Sequence, residues 1–160
     1  MTTILGIDPG GRPSAAKSRS ATGWSAWEYD AVTPPRPITH GQVQGDEWRF
    51  RRWFLEEMPE AFPGGRPDEI VCERFLPDGR TLFPDITPLK IEGILIMARP
   101  DTVFQPNGFK SALVDKKIHE LGLWWPGEGH AIDSMRHVFA LLKERRHMPT
   151  LMLWPPRRAS

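Results

Sequence analysis

Residues 2–11 read T-T-I-L-G-I-D-P-G-G, and the way this stretch is taken decides the fold. Thr2 to Ile7 is short, apolar and β-branched, the pattern of a buried strand, and Asp8-Pro9-Gly10-Gly11 stops it sharply. Working outward, Gly10 to Ala21 is polar, basic and rich in small residues, which reads as a loop. Thr22 to Tyr29 alternates in part around Trp24 and Trp27 and reads as a second strand. A proline-rich turn at Thr33 to Pro37 leads to a third, Ile38 to Gln44. Two consecutive hairpins are the natural arrangement, because antiparallel strands need only short connections.

Asp46 then stands where a helix cap belongs, ahead of Trp48, Phe50, Trp53, Phe54 and Met58, and Pro59 should end that helix. Asp68 to Phe75 (D-E-I-V-C-E-R-F) predicts a fourth strand whose apolar start breaks at Glu73. Leu89 to Ala98 reads as a compact apolar helix and Thr102 to Gln105 as a fifth strand closed by Pro106. Lys110 to Leu121 and His130 to Arg146 read as amphipathic helices. Three strands followed by helix–strand alternation imply an α/β domain, a five-stranded mixed sheet with helices on both faces. Residues 1–148 are expected to form that single domain and residues 149–160 an extended C-terminal tail.

The chain has 160 residues, 39% apolar and 26% charged, enough for one core and ordinary for a soluble protein. Its longest apolar stretch, Gly93 to Ala98, is far too short to cross a bilayer. Met1 to Gly6 lacks the basic start and long apolar segment of a secretory signal. Cys72 is the single cysteine, so no internal disulfide is available and a reducing compartment is the default. A cytoplasmic protein with no membrane association is expected. The net charge of +1 hides segregation: Arg12, Lys17 and Arg19 are the only charges between Asp8 and Glu28, and Arg145, Arg146, His147, Arg157 and Arg158 make the C-terminal end basic. Such a distribution fits phosphate-contacting surfaces around a carboxylate cluster, and equally a protein with no nucleic-acid partner.

The chemistry-bearing residues are carboxylates. Asp8 is either a turn-starting residue that caps its own backbone or a metal ligand on a rigid strand end. Glu73 interrupts Ile70-Val71-Cys72 beside the expected core, where a carboxylate is costly unless it is paired or metal-bound; an ion pair with Arg74 is the plain alternative. In G-H-A-I-D-S-M-R-H, residues 129–137, His130 and Asp133 are three apart at a helix start and share a face. Asp133 is also well placed simply as negative charge near a helix N-terminus, and His130 as a helix-entry residue. Together the four make a set suited to Mg2+, which prefers oxygen ligands. Two such ions about 4 Å apart support in-line phosphoryl displacement. Zinc is disfavoured, since Cys72 has no cysteine partner and no H-E-x-x-H run exists.

These residues resemble a known family. I-L-G-I-D-P-G at 4–10 with T-G-W at 22–24 is similar to the opening of RuvC-type Holliday-junction resolvases. I-V-C-E-R-F at 70–75 resembles their second motif, L-K-I-E-G at 89–93 the helix that follows, and A-I-D-S-M-R-H-V their C-terminal catalytic helix. The resemblance spans roughly residues 3 to 142. It implies an RNase H-like fold and a homodimer that cuts four-way DNA junctions as a Mg2+-dependent endodeoxyribonuclease, with Mn2+ as a substitute. Carried over, Asp8 bridges two metals, Glu73 binds one, and His130 and Asp133 complete a catalytic and metal-binding site. Lys110 falls at a phosphate-contacting position, with Lys116 or Lys117 as a second. Compact divergent members are typical of bacteriophages, which would place the protein in the cytoplasm of a bacterial host.

Departures from the family concern DNA engagement. The loop after Asp8 is longer than usual and basic, so Arg12, Lys17 and Arg19 are candidates for DNA contact, although a charge run is often only a solvated loop. L-P-D-G-R-T-L-F-P after Phe75 does not resemble the usual junction-engaging segment; Arg74, Phe75 and Phe83 are candidates there. Among seven tryptophans, Trp24, Trp27, Trp48 and Trp53 read as core, and Trp124, Trp125 and Trp154 as surface candidates for base stacking. The dimer is expected to use the Leu89–Met97 helix. Rival readings are a flap or fork nuclease, a catalytically silent branched-DNA-binding module, and an actin-like phosphotransferase. The last needs two such domains around a nucleotide, so no nucleotide cofactor is expected.

Overall fold

Period-two alternation along the strands sorts the side chains of this chain into two cores, one on each face of a single sheet. The computed structural model describes residues 1–10, 21–76 and 84–154. The strands are β1 (Thr2–Asp8), β2 (Ala21–Tyr29), β3 (Arg36–Gln44), β4 (Glu69–Arg74) and β5 (Val103–Pro106). They lie in the order β3-β2-β1-β4-β5. The two hairpins are antiparallel, whereas β4 joins β1 and β5 joins β4 in parallel. The result is a five-stranded mixed sheet in a single α/β domain.

Helix α1 (Glu47–Arg52) starts where Asp46 accepts hydrogen bonds from the backbone N–H groups of Trp48 and Arg49, as its cap position requires. It runs on through a wider π turn to Glu57 and a 3-10 turn to Ala61, so Pro59 reshapes the helical path without ending it. With α2 (Thr87–Ala98) it covers one face, where Leu5, Ile7, Phe50, Phe54, Ile70, Cys72, Ile91 and Leu95 form one core. On the other face α3 (Asp115–Glu120) and α4 (Gly129–Glu144) cover Ile4, Trp27 and Val71 through Ile118, Met135, Val138 and Phe139.

Four further expectations need correction. Lys110 to Leu121 is not one helix: a 3-10 turn at Asn107–Ala112 and extended backbone at Leu113 and Val114 precede α3. Leu113 is fully buried there, which anchors the break. The tail begins instead as a short helix, α5 (Met148–Met152), with Pro149 and Thr150 buried. Trp154 packs edge-on against Phe139 under the Lys143 ammonium, and is no free surface ring. Trp48 is 69% exposed, outside the core, because it lies on the outer side of a one-sided helix.

Candidate active site

Parallel pairing puts Ile7 opposite Cys72, so the next residues on the two strands, Asp8 and Glu73, end side by side. Glu73 in turn pairs with Gln105 on β5. The carboxyl ends of parallel strands thus present an acid, an acid and an amide on one line, the edge where open α/β sheets place their ligands.

Helix α4 closes over this line because two strand residues lack side chains. A Cβ on Gly23, the register partner of Asp8, would stand 1.9 Å from the His130 carbonyl carbon. One on Gly6 would stand 2.4 Å from the Ser134 carbonyl oxygen. The glycines of I-L-G-I-D and T-G-W therefore let the α4 backbone rest directly on the sheet. Ser134 and Ser25 join hydroxyls across the contact at 2.9 Å, and the Gln42 carboxamide of β3 accepts from the His130 backbone N–H at 3.4 Å. These contacts set the helix so that His130 and Asp133 face the strand ends.

Asp8 is the hub. It is 3% exposed, and its two carboxylate oxygens serve different partners. Oδ1 accepts from the Lys110 ammonium at 2.8 Å, and Oδ2 lies 2.6 Å from Nδ1 of His130. The same ammonium reaches Glu73 at 2.5 Å and Asp133 at 2.9 Å, so three acids from three elements converge on one cation. The second oxygen of Asp133 accepts from Arg136 at 2.7 Å, and Arg136 also pairs with Asp115. Glu73 is held by Lys110 and His137, not by Arg74.

The protonation pattern follows from burial and crowding. Burial raises the Asp8 carboxyl to about 6, with the neighbouring Glu73 acid adding to the rise and His130 and Lys110 opposing it. Burial alone would raise Glu73 too, but its contacts with His137, Asp8 and Lys110 hold it far below the usual carboxylate range. The two acids titrate as a pair, with burial favouring a proton on Asp8 and the surrounding contacts disfavouring one on Glu73. The hydrogen bond to Asp8 raises His130 above an ordinary imidazole, and burial only partly offsets it. Burial opposes the charge on Lys110, and the surrounding carboxylates more than restore it.

His137 is the member the sequence reading passed over. It is completely buried, with Nδ1 3.0 Å from the Gln105 Oε1 and Nε2 3.4 Å from the Glu73 Oε2. Ligand atoms of Asp8, Glu73 and His137 all lie within 4.8 Å of one another. The signal was in plain view, since His137 is four residues after Asp133 and therefore on the same helix face. An oxygen-rich set with imidazoles beside it is chemically suited to a divalent cation, and the convergence on the Lys110 ammonium marks where positive charge is already favoured.

The remaining candidates are spread around this centre. Arg12, Lys17, Arg19 and Phe83 lie outside the described residues. Arg74 is exposed at the end of β4, with its guanidinium 5.5 Å from the Phe104 ring centroid. Phe75 is half-buried, and its backbone N–H donates to the buried Glu92. Lys116 is exposed and lines a shallow depression with Lys110 and Arg136, whereas Lys117 turns away to Glu120 and Trp154. Trp125 stacks on His40 with centroids 3.7 Å apart, and Trp124 on His119 at 4.3 Å. Among the described residues no helix is long and apolar enough to cross a membrane.

No protein-family model matches the sequence, and no curated protein does. The structure, however, is similar to solved ones. Thermus thermophilus RuvC in complex with a Holliday junction substrate superposes with a TM-score of 0.63 at 15% identity, over 93% of this chain and 98% of that one. A second Thermus thermophilus RuvC structure gives 0.61 at 17% identity, over 90% and 96%. Carboxylates at the ends of β1 and β4 and on α4 thus sit on a chain whose fold is similar to that of the two RuvC structures over 90% and 93% of its length.

Proposed function

We propose that the protein is a structure-selective DNA endonuclease of the RuvC type, which resolves four-way junctions by hydrolysing phosphodiesters with two divalent cations. The observation that carries this reading is the convergence of Asp8, Glu73 and Asp133 on one positive charge at the strand ends. The likeness to a RuvC structure holding a junction favours branched DNA over other phosphodiesters.

Asp8, Glu73, Asp133 and His130 would hold the cations, Mg2+ or Mn2+. Such ions supply Lewis acidity for in-line displacement at phosphorus. Asp8 suits a bridging role because its oxygens already face two partner sets. Lys110 shares the carboxylates a cation would take, so in the loaded enzyme its ammonium is available to scissile-strand phosphate. Lys116, Arg74 and Phe75 lie around the centre as further DNA contacts, and Arg12, Lys17 and Arg19 extend them in sequence. Removing a phosphate contact of this kind should weaken binding across sequences and flatten its salt dependence. A homodimer supplies the two centres that paired nicks need. Leu89, Ile96 and Met97 of α2, left 39%, 50% and 86% exposed, are its proposed surface.

The test is cleavage of labelled four-way junction, flap, fork and linear duplex DNA with Mg2+, Mn2+ or EDTA, alongside Asp8→Asn and Glu73→Gln. Paired symmetric nicks in the junction that need metal and vanish in both variants are expected. Preference for flaps or forks would keep the chemistry and change the substrate. Binding without cleavage under either metal would leave a DNA-binding module.

A further inference from the structure

We infer that His137 is itself a ligand of the divalent cation held by Asp8 and Glu73, and that its nitrogen biases the site towards manganese over magnesium. The inference rests on the proposed metal-dependent nuclease and adds a residue to its centre.

Position comes first. His137 lies on α4 one turn beyond Asp133, at a point where its neighbours Met135, Val138 and Phe139 are all buried and apolar. An imidazole there is costly to desolvate unless both ring nitrogens are used. One nitrogen is used plainly: Nδ1 faces the Gln105 Oε1 at 3.0 Å, and a carboxamide oxygen accepts only from N–H. With the Gln105 amide in this orientation the proton lies on Nδ1. The lone pair of Nε2 then points at Glu73 Oε2, 3.4 Å away.

Glu73 Oε2 is held by the Lys110 ammonium at 2.5 Å, so a cation that takes the place of this ammonium would meet the carboxylate oxygen and the Nε2 lone pair together. Metal-bound histidines have this same outer partner, an acceptor on the second ring nitrogen that orients the ring and raises its basicity. Among the described residues the buried Gln105 Nε2 has no hydrogen-bond partner, so the amide is not placed to satisfy itself. Holding the His137 ring accounts for its position. Gln105 is also the register partner of Glu73, which ties ligand and orienting residue to adjacent strands.

The chemical consequence concerns selectivity. Magnesium is hard, prefers oxygen throughout and keeps its waters. Imidazole nitrogen suits first-row transition ions better. Manganese is therefore expected to bind this chain more tightly than magnesium.

The experiment is pulsed electron paramagnetic resonance of the full chain loaded with Mn2+, reading the imidazole-nitrogen coupling. His130 is the other imidazole near the carboxylates, so His130→Asp removes it while leaving His137 untouched. Nitrogen coupling should persist in His130→Asp and disappear in the double variant with His137→Gln. Manganese affinity should fall by about 10- to 100-fold in Gln105→Leu, the loss usual for an outer-shell partner, with magnesium affinity little changed. Bound Mn2+ without nitrogen coupling in His130→Asp would overturn the inference and leave the nuclease reading standing. That would be the result if His137 only donates from Nε2 to Glu73. Failure of the wild-type chain to bind Mn2+ at all would overturn both.

Discussion

The two faces of the sheet use the same strands and do different work. Towards α1 and α2, Leu5 and Ile7 of β1 and Ile70 and Cys72 of β4 are apolar along the whole strand. Towards α4 the same strands change character along their length. In β1 the sequence is Ile4, Gly6, Asp8; in β4 it is Val71, then Glu73; in β5, Val103, then Gln105. The antiparallel β2 runs the gradient backwards as Trp27, Ser25, Gly23. One end of that face is core under Val138, Phe139 and Leu142, and the other is a buried polar strip under His130, Ser134 and His137. Helix α4 is thus anchored by apolar packing at its C-terminal half and carries the site on its N-terminal half. Stability and chemistry are separated along one helix.

The largest effect should come from substituting the polar face and the apolar face of the same sheet in parallel. Asp8→Asn and Glu73→Gln keep the side-chain size and remove the charge. Cleavage should fall on the order of a thousandfold or more, since electrostatic groups at the reacting centre supply the largest share of such barriers. Ile70→Val on the opposite face should cost about 1 kcal/mol of stability and leave the cleavage rate unchanged once the protein is folded. Denaturant melts and single-turnover cleavage on the same samples separate the two. Comparable loss of activity in Ile70→Val would break the division between the faces.

That division also explains what could be read in advance. The apolar face is legible because alternation, the Asp46 cap and the break at Pro9-Gly10 are local signals, and all five strands lie within about two residues of their expected bounds. Asp8 and Glu73 stand out in the sequence as carboxylates at the ends of apolar runs, and His130 and Asp133 as a pair three apart at a helix start. Their convergence rests on β1–β4 pairing and on the glycine contacts under α4, which no local pattern states. His137 was passed over because it follows Arg136 in a helix already assigned to packing. The Lys110 turn was misread because a 3-10 turn followed by a short helix has nearly the periodicity of one longer helix.

The polar strip should also respond to pH where the apolar face does not. A cation can use Asp8 only after that carboxyl loses its proton, and burial has raised it to about 6. His130, raised by the same hydrogen bond, must likewise be neutral to serve as a ligand. Glu73 is held low and adds nothing in this window. Metal binding therefore releases protons on the acid side, and affinity rises with pH. From about pH 8 down through pH 6, Mn2+ affinity should fall with a slope steepening towards one decade per pH unit for each proton displaced. Calorimetric titration in buffers of different ionisation enthalpy counts those protons directly. A flat profile through pH 6 would mean that Asp8 is not among the ligands.

The smallest effects come from glycines, and they sharpen the comparison because one substitution should act with opposite signs at two sites. Gly23→Ala puts a methyl group into the α4 backbone at His130, a contact that only movement of the helix can relieve. Overpacking of this kind costs about 1–3 kcal/mol, and by shifting His130 and Asp133 it should weaken Mn2+ binding as well. Gly93→Ala, in the middle of α2, meets nothing within 4 Å. There the helix preference of alanine should raise stability by up to about 1 kcal/mol, with metal affinity unchanged. Thermal melts at several protein concentrations add a further reading, because a dimer formed through α2 makes the midpoint depend on concentration. In that case the added methyl group at Gly93 should alter this dependence, whereas in a monomer it should raise the midpoint equally at every concentration.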